Sequence, residues 1–416
     1  VCCLCERRHV RSTGEGSSAA SVVFKSQGII AFFPLSPSSM RPPDWISIKR
    51  EHTIVFCHSS GVISMKALVY QDHKTVSYLD VTDPSIEAPT DAIVRIEKTA
   101  ICGSDLHIYH GPSRLEMGEF TLGHEFLGTV EDVGSDVRRF KKKDRVLVSC
   151  TIGCGGCALC DDNLYSGCME TTQMGPVTNI FGSPLNPGGQ AEGVRVPFAD
   201  TNLFKIPDGL NDEQVLFLTD ILPTGYMGAD LAEVGPGDTV VVIGCGPVGV
   251  FAQLSALIRG AATVIAVDLD DGRLEKARAR GCRPLNPSRE DVTEIAKSLT
   301  GGKGADCAIE AVGNPATVKL ALDVVRPGGR VAVIGVVAGE QVSIDFFPVM
   351  TGKNITLRSG IVNPQYYIPK LLPMIVQGKI DPTEIITHRM SLSEGARGYE
   401  VFDNHEEDVL KVVMTP

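Results

Sequence analysis

DTVVVIGCGPVGVFAQLSALIRG, residues 238–260, is the stretch on which the fold turns. Its apolar run predicts a buried strand over TVVVI, and the spacing of apolar residues predicts a one-faced helix over PVGVFAQLSALIRG. Gly244, Gly246 and Gly249 form G-x-G-x-x-G at the joint. That pattern is weak alone, but between a strand and a helix it has a mechanism. Gly244 permits the tight turn, Gly246 lets the backbone approach a pyrophosphate, and Gly249 lets helix and strand pack closely. The helix amides, with Pro247 and Val248 in the first turn, then face the phosphates. A glycine-rich turn with no ligand is the alternative.

Asp268 ends the next predicted strand, ATVIAVD, 22 residues after Gly246. A carboxylate there can accept hydrogen bonds from both hydroxyls of an adenosine ribose and would repel a 2′-phosphate, which favours NAD over NADP. Arg273 could pair with such a phosphate if it turned inward, but Asp270 and Asp271 keep the local field negative. Helix and strand patterns continue to alternate through ADCAIEAVG, TVKLALDVVRPGG and RVAVIGVV. That alternation predicts a parallel sheet with crossovers. Val312 and Gly313, ending ADCAIEAVG, join the candidate cofactor contacts.

Upstream the pattern is short strands and turns, as in AIVRIEKTA, FLGTVEDVG and DRVLVSC. A barrel-like β lobe is expected over 65–214, the dinucleotide domain over 215–350, and a return to the first lobe over 351–416. Residues 1–64 stand apart. They are Ser-rich, weakly periodic, and carry seven basic and four acidic residues. A transit peptide is one reading; the reading preferred here is translated sequence upstream of the true start, unstructured or not native.

Into the β lobe is set GCGGCALCDDNLYSGC, with Cys154, Cys157, Cys160 and Cys168. Thiolates so closely spaced can hold one tetrahedral zinc ion, and four ligands leave no open position, so the site would be structural. A pair of disulfides, or free thiols, is the rival reading.

The bulk numbers narrow the function. The chain has 416 residues, a net charge of -11, 43% hydrophobic and 21% charged residues, and thirteen cysteines. Two domains are expected. The negative charge argues against nucleic acid or an anionic membrane surface as the main partner. No apolar run is long enough to span a bilayer. Many cysteines without a convincing signal peptide suit a reducing compartment, so a cytoplasmic location is expected.

Three further runs carry chemistry: ICGSDLHIYHG with Cys102, Ser104, Asp105 and His107; LGHEF with His124 and Glu125; and LTDILPTGYMG with Asp220. Singly they are weak. A buried cysteine is usually a small hydrophobe, and Asp220 could simply cap a helix starting near Pro223. With the four-cysteine lobe and the glycine fingerprint, in this order, they resemble the zinc-dependent medium-chain alcohol dehydrogenases over roughly 65–416. The wording leans toward the branch of bacterial secondary-alcohol and glutathione-independent formaldehyde dehydrogenases.

The resemblance implies an α/β architecture: a β-rich GroES-like catalytic domain and a Rossmann doubly wound parallel sheet. It implies two zinc ions per chain, one structural and one catalytic. Cys102, His124 and Asp220 would ligate the catalytic ion, with Glu125 beside it as a further metal residue that binds when water leaves. Ser104 and His107 would pass the substrate proton to solvent, and Thr224 would lie near the nicotinamide. Zinc with three protein ligands keeps a position open where a substrate alcohol becomes more acidic. The implied activity is NAD-dependent hydride transfer between an alcohol and its aldehyde or ketone, in a homodimer or homotetramer. Two departures are Lys143, where the family often has Gly, and Met227, often His. Polyol, threonine or formaldehyde oxidation remains open within the zinc group. A zinc-free quinone or enone reductase lacks the ligand set, and a zinc-ribbon nucleic-acid module would leave the fingerprint idle.

Overall fold

Val240, Val241 and Val242 are fully buried, and apolar side chains on both faces suit a strand with helices on either side. In the computed structural model, which describes residues 24–26, 29–31, 64–111, 118–175, 178–338 and 341–416, Thr239–Ile243 is that strand. It lies within a six-stranded parallel sheet. The strands run Arg283–Leu285, Thr263–Val267, Thr239–Ile243, Ala305–Glu310, Val325–Val333, Thr356–Ser359. In chain order that is 3-2-1-4-5-6, the doubly wound order, and the order reverses between Thr239–Ile243 and Ala305–Glu310. Ligands bind outside the carboxyl ends of strands at such a reversal.

One boundary moves. Thr356–Ser359 pairs in parallel with Val325–Val333, so the parallel sheet continues beyond the expected end at 350. The strand is four residues, TLRS, with three of them exposed, which gives it almost no hydrophobic signature.

The β lobe holds two sheets. A seven-stranded sheet runs Leu203–Lys205, Arg145–Val148, Glu125–Val133, Ala92–Ala100, Val412–Thr415, His388–Ser391, with Gly193–Val196 pairing beside Ala92–Ala100. Ser64–Asp72 pairs with Thr75–Thr82 and Phe120–Thr121 in a three-stranded sheet. The return of the chain end to this lobe is seen directly, in Val413 opposite Ala100 and Met414 opposite Thr99. Lys143 has φ of 75° in the turn before Arg145–Val148, a backbone where glycine would be unstrained.

Three helices pack together. Ile221–Leu231 packs on Pro247–Ile258, the helix after the glycine turn, and on Pro364–Val376. One apolar core joins Leu216, Phe217, Leu222, Phe251 and Ile368 to Cys102 and Leu147 of the β lobe. Met227 belongs to this core at 4% exposure, so its side chain packs internally.

Residues 1–63, apart from an antiparallel pairing of Phe24–Ser26 with Ile29–Ala31, lie outside the described residues, and so does the expectation made for them. No helix among the described residues is long and apolar enough to cross a membrane.

Candidate active site

Three segments far apart in sequence meet at Cys102, His124 and Asp220. Cys102 precedes the helix Gly103–Tyr109, His124 precedes the strand Glu125–Val133, and Asp220 follows a single turn of tighter helix at Leu216–Thr219. One ligand atom from each lies within 4.8 Å of the other two, and all three residues are buried. Asp220 Oδ2 is 3.4 Å from Cys102 Sγ and 3.5 Å from His124 Nε2. The helix Ile221–Leu231 begins directly after Asp220, yet the Asp220 side chain makes no capping hydrogen bond. It turns inward instead. Ser104 Oγ lies 2.9 Å from His124 Nε2 and 3.2 Å from Cys102 Sγ. His107 is one helical turn further on and exposed.

The electrostatics are those of a buried donor set. Burial, with the Glu125 and Asp220 carboxylates, pushes the Cys102 thiol up to about 11. Burial raises Asp220, but His124 outweighs it and holds the carboxyl below its usual range. Burial likewise pushes the Cys150 thiol well up, helped by Asp220, so it stays protonated.

Glu125 is not part of the converging trio. Both its oxygens lie 2.7 Å from Lys411 Nζ, and Lys411 also donates to Ile101 O at 2.8 Å. Glu125 and Lys411 are both fully buried. Burial disfavours the ammonium, but the facing carboxylate more than offsets it and holds Lys411 above its usual range. Sequence reasoning missed Lys411, because one charge inside VLKVVMT reads as the exposed position of a strand.

Asp105 serves both Cys102 and His124. Its Oδ2 accepts from the Cys102 backbone N–H at 3.0 Å and from Gln190 Nε2 at 3.2 Å. Its Oδ1 sits 3.1 Å from His124 Nδ1, in ion-pair contact. One carboxylate thus fixes the Cys102 backbone and aims the His124 ring, turning Nε2 to the centre. Gln190 is itself held by Tyr399, whose hydroxyl donates to Gln190 Oε1 at 2.8 Å.

The four lobe cysteines also converge, with their sulfurs within 4.8 Å of one another. Cys154 and Cys160 sulfurs are 4.0 Å apart, and Cys157 and Cys168 are 3.9 Å apart. A disulfide needs about 2.05 Å, so that rival is excluded for these pairs. Backbone N–H groups of Cys160 and Met169 pull the Cys157 thiol down to about 6.

At the strand-order reversal, Gly244 has φ of +99°. A Cβ on Gly249 would lie 2.0 Å from Gly244 O, whereas a Cβ on Gly246 would meet nothing within 4 Å. The open side of the turn is therefore at Gly246, where the helix headed by Pro247 and Val248 begins. Asp268 accepts from the N–H of Cys245 at 2.7 Å and of Asp270 at 2.9 Å. The Arg273 N–H caps its helix on Asp270. Val312 and Gly313 donate their N–H groups to Glu310 Oε1, each at 2.8 Å. Val312 is 49% exposed and Leu269 71% exposed, two bare apolar groups near the glycine turn. Glu310, buried at the end of its strand, has no local sequence pattern that points to it. The Thr224 hydroxyl is turned to Asp220, donating to its backbone carbonyl at 2.9 Å.

Comparison with known proteins agrees with this architecture. Residues 88–208 match the alcohol dehydrogenase GroES-like domain and residues 247–377 the zinc-binding dehydrogenase domain. The chain is 38% identical over 380 residues to an uncharacterised zinc-type alcohol dehydrogenase-like protein of Bacillus subtilis, covering 85% of this chain and 100% of that one. An alcohol dehydrogenase structure from Thermus sp. ATN1 superposes with a TM-score of 0.77 at 38% identity, covering 84% of this chain and 99% of that one. A zinc-binding dehydrogenase from Sinorhizobium meliloti bound to NADP matches with TM-score 0.74 at 30% identity, covering 85% of this chain and 100% of that one. A protein from Escherichia coli CFT073 described as a short chain alcohol dehydrogenase, complexed with NADH, matches with TM-score 0.75 at 26% identity, covering 86% of this chain and 100% of that one. With both domain models matched and the buried Cys–His–Asp trio in place, this chain belongs to the zinc-dependent medium-chain alcohol dehydrogenase family.

Proposed function

We propose that the protein oxidises an alcohol to its aldehyde or ketone, and reduces the carbonyl in reverse, with NAD as hydride partner and two zinc ions per chain. The observation that carries this reading is the convergence of Cys102, His124 and Asp220, all three buried. The residues suit both groups. Three mixed donors leave a fourth tetrahedral position open, whereas the four-thiol set is closed. The lobe sulfur separations of 3.9 and 4.0 Å lie near the ~3.8 Å edge of a tetrahedron with Zn–S bonds of about 2.3 Å. The open space at Gly246 suits a pyrophosphate.

Zinc would supply Lewis-acid polarisation of the substrate oxygen, and NAD the hydride acceptor. The chain's own groups then orient and move the proton. Ser104 Oγ lies against both Cys102 and His124, so its hydroxyl can take the proton of an alcohol seated at the trio. His107, exposed on the same short helix, would pass that proton on to solvent once the cofactor ribose bridges it to Ser104. Asp105 keeps the His124 ring in register, and Lys411 keeps the Glu125 charge balanced. Asp268 favours NAD. A 2′-phosphate beside it would meet a like charge at a few ångströms, which costs several kcal/mol at an effective dielectric of about 20.

The test is cofactor reduction, followed by absorbance, across simple alcohols, polyols, threonine and formaldehyde with each dinucleotide. Turnover of a simple alcohol with NAD, abolished in Cys102→Ala at unchanged fold, is the expected result. Preferred oxidation of a polyol or threonine would move the substrate class within the family. Full activity in Cys102→Ala would overturn the reading.

A further inference from the structure

We infer that Cys150, which no reading of the motifs singles out, is a positioning residue that makes Asp220 a single-oxygen ligand. The inference rests on the proposed metal site at Cys102, His124 and Asp220. The two Asp220 oxygens have different surroundings. Oδ2 faces Cys102 Sγ at 3.4 Å and His124 Nε2 at 3.5 Å. Oδ1 instead meets Cys150 Sγ at 3.6 Å and Thr224 Oγ1 at 3.2 Å.

Those two donors are not equivalent. A threonine hydroxyl has one hydrogen, and Thr224 has two acceptors in reach. The backbone carbonyl of Asp220, at 2.9 Å, is nearer than Oδ1 at 3.2 Å. The Thr224 hydrogen is therefore spent largely on the backbone. Cys150 Sγ has Asp220 Oδ1 as its one acceptor among the described residues. The thiol is the committed donor to that oxygen.

Its own place is fixed by backbone. The Cys150 N–H donates to Thr219 O at 3.0 Å, and its carbonyl accepts from the Phe181 N–H at 3.1 Å. The first of these bonds ties it to the residue just before Asp220. The side chain is 3% exposed. A carboxylate free to rotate could offer both oxygens to a cation; one held at Oδ1 offers only Oδ2. That leaves the fourth position of a tetrahedral ion to substrate.

The experiment is zinc affinity of the full chain by chelator competition. Cys102→Ala identifies which binding step belongs to the trio rather than to the lobe. Cys150→Ala should weaken that step by about 10- to 100-fold, the usual effect of losing a group that orients a ligand, and leave the lobe step unchanged. Cys150→Ser, which keeps a hydrogen-bond donor, should recover most of the loss. Cobalt substitution gives a second readout: the sulfur-to-cobalt absorbance of the trio should persist in Cys150→Ser, because Cys150 is not itself a ligand. Wild-type affinity in Cys150→Ala, or an equal fall in the serine variant, would overturn the inference. So would loss of the cobalt absorbance in Cys150→Ser. If the wild type shows no step that Cys102→Ala removes, the metal reading of the trio fails, and this inference with it.

Discussion

At the scale of single residues, the strongest commitment in the molecule is the pair Glu125–Lys411. Two charges at zero exposure survive only because each satisfies the other. Lys411→Met keeps the length and apolar stem but strands the carboxylate. It should lower unfolding free energy by about 3–5 kcal/mol, read from urea denaturation; a change below 1 kcal/mol would show that Glu125 simply takes up a proton. Asp268→Ser should weaken NAD and relieve repulsion of NADP. The ratio of kcat/KM values should then move toward parity by tenfold or more, about 1.4 kcal/mol. A preference unmoved by the substitution would remove Asp268 from ribose recognition. The glycines were legible from their spacing between strand and helix, whereas Cys102, His124 and Asp220, which lie close together in the fold, were joined only by the family resemblance. Cys150 and Lys411 were not legible, because their partners lie across the fold, and Asp105 was legible only as a local cap on Cys102, not in its contact with His124. Nothing local distinguishes a lysine that meets a glutamate 286 positions away from one that meets water.

At the scale of elements, the strand–turn–helix at 239–258 is tolerant of almost nothing at its tightest point. Gly249→Ala would drive a methyl to within 2.0 Å of Gly244 O. The backbone must shift, at about 1–3 kcal/mol, and the helix amides lose their aim. Dinucleotide affinity, measured by titration calorimetry, should fall at least tenfold, while metal content stays unchanged. A second device joins Lys74, His110 and Asp403. It links the turn after Ser64–Asp72 to the ends of Gly103–Tyr109 and Gly395–Asp403. Burial raises the Asp403 carboxyl, but Lys74 and His110 outweigh that and hold it below its usual range. A depressed folded value means stability present above the unfolded value and lost as pH falls through the folded one. The stability advantage of wild type over Asp403→Asn should therefore shrink below about pH 4; a gap constant down to pH 2 would contradict the pairing. Pro247–Ile258 was readable from its apolar run and the glycine turn before it, although its buried positions include five consecutive residues, Gly249 to Gln253, rather than one face. Thr356–Ser359 was not, since a polar edge strand takes its identity from the neighbour it pairs with.

At the scale of the whole molecule, two donor sets divide the metal chemistry, and they should respond differently to loss. Cys160→Ala opens the closed lobe and should lower the melting temperature as well as the zinc count. Cys102→Ala should lower the count by one and abolish turnover while the melting temperature holds. Metal analysis paired with thermal unfolding checks both, and a wild-type count near zero with full activity would refute the division. The two-part architecture was legible because period-two and period-3.6 patterns segregate along the chain. The crossing of the far end back into the first lobe was legible only as a direction; its register came from pairing.

That crossing has a consequence for how the protein is made. Val412–Thr415 inserts beside Ala92–Ala100, and Lys411 neutralises Glu125 next to His124. On the ribosome, the lobe synthesised first must wait for almost the entire chain before its sheet closes and its buried charge is matched. During that interval the Thr99–Ala100 end of the strand, the part not covered by Gly193–Val196, presents a vacant edge, the kind of surface that invites mispairing. The Rossmann sheet, whose six strands all lie between 239 and 359, can assemble earlier. The half that would hold the metal is begun first and finished last.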